Sequence, residues 1–302
     1  MFLTLLLTLL LVTGLSTMAA GQPGSGEHSL RVGFAAGTFP DLDHRDVQAA
    51  MQLWTKQLAK GMGLAAEPRT IVFTKTEDLL AAVNRGELTV VSLPALEYLR
   101  IRKAAAMKPA IVSHSNASSK RRFILVARRD GGIKTVRDLR GKCLVLPSKR
   151  KFSAGHIWLD VLLLKEGLPD AGTFCRETRE SPVAAQALMA VFFKQSDVAV
   201  VNRGALETSI ALNPQLGREL TIIAESDALL GDLTCIPDNV SAGLRRSIEQ
   251  AATRLHESTA GRQIFTLFQM DRAILFQPAH LAGLEVLLRE RDRLLTGKRR
   301  KP

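Results

Sequence analysis

From Leu30 onward, short apolar runs with β character alternate with capped helical segments, and this alternation constrains the fold more than any other feature of the chain. Runs at 30–34, 70–73 and 88–92, then at 123–128, 143–146, 173–176, 197–201 and 220–224, read as strands. Between them lie helices. Val47, Ala50, Met51, Trp54 and Leu58 recur at helical spacing, with Asp41 and Asp43 as N-caps and Gly61 at the end. Thr76 caps a helix carrying Leu79, Leu80 and Val83, closed by Gly86, and Pro94 starts another. Thr135 caps a short helix before Gly141, Ser153 opens one that ends at Gly167, and Ser181 with Pro182 starts one that runs to Phe193. Residues 205–211 are helical, and from Ser241 the chain is mostly helical. Strands alternating with helices predict an α/β fold of two lobes, each a mainly parallel sheet flanked by helices. Open parallel sheets take ligands at the carboxyl ends of their strands, so two facing sheets make a cleft.

The first residues are of another kind. Residues 2–12 form an apolar run followed by Gly14 and the small residues Ser16, Thr17, Ala19 and Ala20. The run is short of the roughly 20 apolar residues that a bilayer span needs, and it has the form of a cleaved export leader. Against this, no Lys or Arg precedes it, which leaves open a buried N-terminal helix or an uncleaved anchor. The expected division is a leader at 1–20, a linker at 21–29, a first lobe at 30–128 plus 225–296, a second lobe at 129–224 and a basic tail at 297–302.

Export implies an oxidising compartment. Cys143, Cys175 and Cys235 are too widely spaced for a zinc ribbon or a Cys-x-x-Cys motif, so one disulfide with a free thiol and three buried thiols both remain open. No metal site is expected, because the six His show no paired spacing. A formal net charge of +12 favours anionic partners. With 5% aromatics and no nucleic-acid module, a nucleic-acid role is not expected. No Gly-x-Ser-x-Gly elbow, Walker motif or acid–base set is present, so no catalytic residue is assigned and no cofactor is expected.

Several segments in chain order resemble the phosphate/phosphite/phosphonate-binding family of periplasmic solute receptors of ABC transporters. They are Leu-Arg-Val-Gly-Phe at 30–34 with Phe-Pro-Asp at 39–41, the stretch from Val83 through Gly86 and Glu87 to Pro94, and Gly-Gly-Ile-Lys-Thr-Val-Arg-Asp-Leu-Arg-Gly at 131–141. Ser-Ala-Gly at 153–155 with Leu-Leu-Leu-Lys-Glu-Gly at 162–167, and Ile-Ile-Ala-Glu-Ser at 222–226, complete the set. The resemblance spans residues 30 to 280. It implies a two-lobed periplasmic-binding-protein-like fold with its ligand cleft at a hinge, and a receptor that binds without catalysis. It further implies a small anionic solute, an ABC permease as partner, a periplasmic location and a monomer. The alternative on the same fold is a signalling or accessory receptor that presents its liganded state to a membrane sensor.

The residues that can hold a ligand follow from helix ends and strand ends. Ser153 to His156 open a helix whose free N–H groups and dipole favour an anion. Ser153 supplies a hydroxyl, Gly155 permits close backbone approach, and Lys149, Arg150 and Lys151 add positive charge; the alternative is an N-cap behind a solvated basic loop. The family pattern at this point is Ser-Thr-Ser-Gly. Phe152 and Ala154 stand where two of its hydroxyls would be. Each such bond to a charged group contributes about 1.5–3 kcal/mol, so another oxyanion fits as well as a phosphonate. Family members that hold an aminoalkyl phosphonate carry an acid where this chain has Asn202, so an amino-bearing ligand is disfavoured here. Arg203 is a further candidate for the anion, or an exposed surface residue. In the first lobe Thr38, Phe39 and Ser92 are candidates after strands; the resemblance adds Tyr98, near an aromatic contact of the family, with Glu97 the other choice of register. Ser181 is a helix cap or a cleft contact, and His156 lines the cleft or packs on its helix.

Overall fold

The computed structural model describes residues 29–38, 44–115, 122–146, 153–181, 183–267 and 270–299. The proposed leader, Phe39, Asp41, Asp43, Lys149, Arg150, Lys151, Phe152 and Pro182 lie outside the described residues. Two sheets organise the rest. The first contains β1 (Arg31–Ala35), β2 (Arg69–Phe73), β3 (Val90–Pro94), β4 (Met107–His114), β10 (Asp232–Pro237) and β11 (Arg272–Leu275), in the order β11-β4-β10-β3-β1-β2. The second contains β5 (Phe123–Arg128), β6 (Cys143–Leu146), β7 (Glu177–Glu180), β8 (Val198–Asn202) and β9 (Leu220–Glu225), in the order β7-β6-β8-β5-β9.

Both sheets are mixed, where the alternation of the sequence predicts mainly parallel ones. β1 pairs in parallel with β2 and β3, and β6 with β7 and β8. The antiparallel pairings all involve β10, β4 or β5, the strands next to the points where the chain passes from one sheet to the other. β5 runs between β8 and β9, so it belongs to the second sheet although the chain through Arg128 reads as part of the first lobe. β4, β10 and β11 are not evident in the sequence pattern. Their runs carry Lys108, Pro109, Asp232, Thr234 and Arg272, which blur the apolar signal. Residues 173–176 are not a strand: α5 (Ala171–Phe174), capped by Asp170, takes in the first two, Cys175 and Arg176 form a bend, and β7 follows. β7 is exposed at all four positions, the pattern of an edge strand.

Helices pack on both sides. α1 (His44–Gly61) buries Val47, Met51 and Leu58 against the first sheet with α9 (Ala242–Arg254) and α10 (Thr259–Leu267). α2 (Thr76–Asn84) and α3 (Ala95–Ile101) cover its other face with Leu79, Val83 and Ala95. Gly33 lets this packing come close: a Cβ there would stand 2.7 Å from Leu88 Cδ1, which would have to shift. On the second sheet α4 (Ala154–Lys165) buries Trp158, Leu159 and Leu163 on one face. α6 (Ala184–Phe192), α7 (Arg203–Leu212) and α8 (Pro214–Glu219) bury Ala187, Leu188, Val191, Leu206 and Leu216 on the other. α11 (Ala282–Arg299) ends the described chain.

Candidate functional site

The chain passes between the sheets at the carboxyl ends of the parallel strands. Pro94, which ends β3, pairs with Asp232, which starts β10. Asn202, which ends β8, pairs with Phe123, which starts β5. The two passages are tied together: Ser226 N–H donates to the Phe123 carbonyl at 2.8 Å, and Phe123 N–H donates to Ser226 Oγ at 2.8 Å. The ends of β1, β2 and β3 therefore face the ends of β6, β7 and β8. Ala154, the first residue of α4, packs against the apolar cluster of the first sheet.

The amino end of α4 is built as the sequence predicts. Ser153 is the N-cap, and its Oγ accepts the His156 N–H at 3.3 Å. The same Oγ lies 2.9 Å from His156 Nδ1. Burial holds the His156 imidazole below its ordinary value, opposed by the Glu180 carboxylate, so the neutral ring is favoured. Gly155 is buried, and Gly167, at φ +74°, closes the helix.

Across the gap, Thr38 ends the 3-10 turn after β1. Its Oγ1 is buried without a hydrogen-bond partner among the described residues. Buried hydroxyls normally have partners, so this one is an exception in the fold. Ser92 lies within β3, two residues before its end, and is 6% exposed. Tyr98 is buried in the first sheet's apolar cluster, with its phenol pushed above the ordinary range by burial. Its neighbour Glu97 is 7% exposed and accepts the Thr76 hydroxyl at 2.5 Å. Thr76 is thus a first-turn residue of α2 rather than its cap, which is Lys75. Sequence reasoning named Glu97 only as a choice of register and missed its pairing with Thr76, because residues 21 apart meet only through the β2–β1–β3 order.

The remaining predicted residues divide. Asn202 is exposed at the end of β8, with no side-chain cap bond to α7. Ser181 donates its hydroxyl to the Val183 carbonyl at 3.0 Å, and its N–H goes to Leu146 O; α6 is capped by Val183 instead. Arg203 pairs with Glu225 and, at 3.1 Å, with Glu207, while Arg122 approaches Glu225 at 3.5 Å. Glu225 therefore neutralises the basic residues at the passage between sheets. The three cysteines are buried and unbridged; burial raises the Cys175 thiol to about 11 and that of Cys235 further, so neither is a reactive thiolate. Among the described residues there is no group of three or more His, Cys, Asp or Glu arranged to hold a metal, and no helix long and apolar enough to cross a membrane.

Two α/β units facing each other across strand ends, with a helix amino terminus at the gap, define a two-lobed solute-binding protein. The particular family follows from comparison. A family described as "ABC transporter, phosphonate, periplasmic substrate-binding protein" matches residues 36–281, and the chain belongs to it. A binding protein component of an ABC phosphonate transporter from Pseudomonas aeruginosa superposes with a TM-score of 0.67 at 13% identity, over 89% of this chain and 88% of that one. PhnD1 from Prochlorococcus marinus, in complex with methylphosphonate, gives 0.66 at 14% identity over 87% and 98%. The periplasmic aliphatic sulphonate-binding protein SsuA from Escherichia coli gives 0.55 at 15% identity over 90% and 88%. No match is found among curated proteins.

Proposed function

We propose that the protein captures a small oxyanion between its two lobes and delivers it to an ABC permease of the inner membrane. The observation that carries this reading is the pairing of two features across one gap. On one side is the capped amino end of α4, with Ser153 and a neutral His156; on the other is the buried, unpartnered hydroxyl of Thr38. The helix end supplies N–H donors and partial positive charge, and Thr38 supplies a hydroxyl donor that has no protein partner among the described residues. Each sheet with its helices is one lobe, the chain crossing between β4 and β5 and again between β9 and β10. Family membership and the methylphosphonate-bound relative support a phosphonate or phosphate-like solute. The paucity of hydroxyls at 152–155 supports a ligand held by fewer of them, a sulfonate or carboxylate included.

The test is calorimetry and thermal shift of the purified protein with phosphate, phosphite, methylphosphonate, sulfonates and carboxylates. A true ligand at 100 times its Kd adds about 2.7 kcal/mol of stability, which moves the midpoint by several degrees. The expected result is such a shift with at least one oxyanion, weakened about tenfold or more by Ser153→Ala. Binding unaffected by that variant would remove α4 from the site. No shift with any oxyanion would remove the reading.

A further inference from the structure

Helix α11 touches both lobes. Its start is fixed to the first: Leu284 is 1% exposed in that lobe's apolar cluster, a Cβ on Gly283 would stand 3.3 Å from the Ala228 carbonyl, and Glu285 pairs with Arg102 after α3 at 2.7 Å. Its middle lies on α4 of the second. Leu287 packs against the apolar clusters of both sheets. One turn further on, Arg291 meets Asp160 at 3.5 Å with both side chains mostly buried, and Glu290 meets Lys165 at 3.9 Å. Asp160 lies on α4 four residues past His156.

We propose that α11 is a strap that holds the ligand-facing helix α4 against the first lobe, with Arg291 as its positioning residue. The two ends of the strap are unequal. The first-lobe end is anchored by buried apolar side chains, which do not slide without opening a void. The α4 end is anchored by the half-buried Leu287 and by ion pairs, which break and reform as units. Separating the lobes therefore carries α11 with the first lobe and parts Arg291 from Asp160. It also takes Leu287 off one of the two apolar clusters it packs against, and the apolar surface so uncovered opposes opening. The strap thus biases the lobes toward the closed arrangement without touching the ligand, and it acts in the unliganded protein whatever the ligand is.

The experiment measures the distance between lobes without ligand. Leu53 on α1 and Leu212 on α7 are 48% and 84% exposed, one on each lobe, and the native cysteines are buried. Spin labels on Leu53→Cys and Leu212→Cys then report separation by pulsed electron resonance. Arg291→Ala is expected to raise the ratio of long to short distances about fivefold, and Arg291→Lys to restore most of the parent distribution. Asp160→Asn, which keeps side-chain shape, is expected to act in the same direction. Arg293→Ala, whose partner Glu290 lies on the same helix, leaves the distribution near that of the parent. Unchanged distances in Arg291→Ala and Asp160→Asn, both folded, would overturn the strap. Because no ligand is present, that result is independent of whether an oxyanion binds.

Discussion

Thr38 and His156 make opposite kinds of prediction. A buried hydroxyl without a partner destabilises the unliganded fold by about 1–3 kcal/mol relative to an apolar group of the same shape. Thr38→Val removes that burden and also removes a donor from the proposed ligand. The unliganded melting temperature is expected to hold or rise while oxyanion affinity falls about tenfold or more. A drop in both would make Thr38 a structural residue with a partner of its own. His156 titrates instead. Its folded value lies below the ordinary value of 6.5, so between those two values the unfolded chain binds more protons than the folded one. The stability it contributes is present above pH 6.5 and is lost as pH falls below that value. An oxyanion beside the ring favours its protonated form, so ligand affinity runs the other way and strengthens as pH falls. Melting curves and titrations at about pH 7.5 and about pH 5.5, with His156→Gln as reference, test both slopes. Parallel slopes in the parent and in His156→Gln would assign the pH dependence to other groups.

At the scale of elements, α4 was legible because every signal agrees. Ser153 caps it, Leu159 and Leu163 lie at helical spacing, and Gly167 ends it in a conformation that an L side chain enters at a cost. Gly167→Ala is expected to lower stability by about 1 kcal/mol, and Leu159→Ala, fully buried, by about 2–5 kcal/mol, both read from urea midpoints. A Gly167→Ala variant as stable as the parent would show that the turn relaxes. β4, β10 and β11 were not legible. Antiparallel strands placed by partners more than a hundred residues away carry no local period beyond their own few residues, and a lysine, a proline and two acidic or basic residues interrupt those. The site was legible in the same uneven way. Ser153 and His156 belong to one helix turn, and a helix cap is written locally. The unpartnered hydroxyl of Thr38, the pairing of Thr76 with Glu97 and the capture of Arg203 by Glu225 depend on neighbours that only the folded chain supplies. Cys175 illustrates the limit: its run reads as a strand, and the end of a four-residue helix capped by Asp170, followed by a bend, takes the place.

The whole molecule has one tryptophan on each lobe, Trp54 on α1 and Trp158 on α4, which makes its cooperativity measurable. Four apolar clusters form the core, two on each sheet, so each sheet has a core of its own. What joins the lobes is smaller: the bonds between Ser226 and Phe123, the contact of Ala154 with the first cluster, and α11 with Leu287 and its ion pairs. Two domains unfold as one only when the free energy of their interface exceeds the difference between their own stabilities. The single-tryptophan proteins Trp54→Phe and Trp158→Phe report the two lobes separately. Their urea transitions are expected to coincide, because α11 spans both cores. Adding Arg291→Ala to each weakens the join at α4 and is expected to separate the midpoints, and a saturating oxyanion that touches Thr38 and Ser153 together is expected to close the gap again. Transitions already separate with Arg291 present would mean that the lobes fold apart and that α11 contributes nothing to their union. Transitions still coincident in Arg291→Ala would place the coupling at the crossing strands, where Ser226 holds Phe123 and Glu225 holds Arg122 and Arg203.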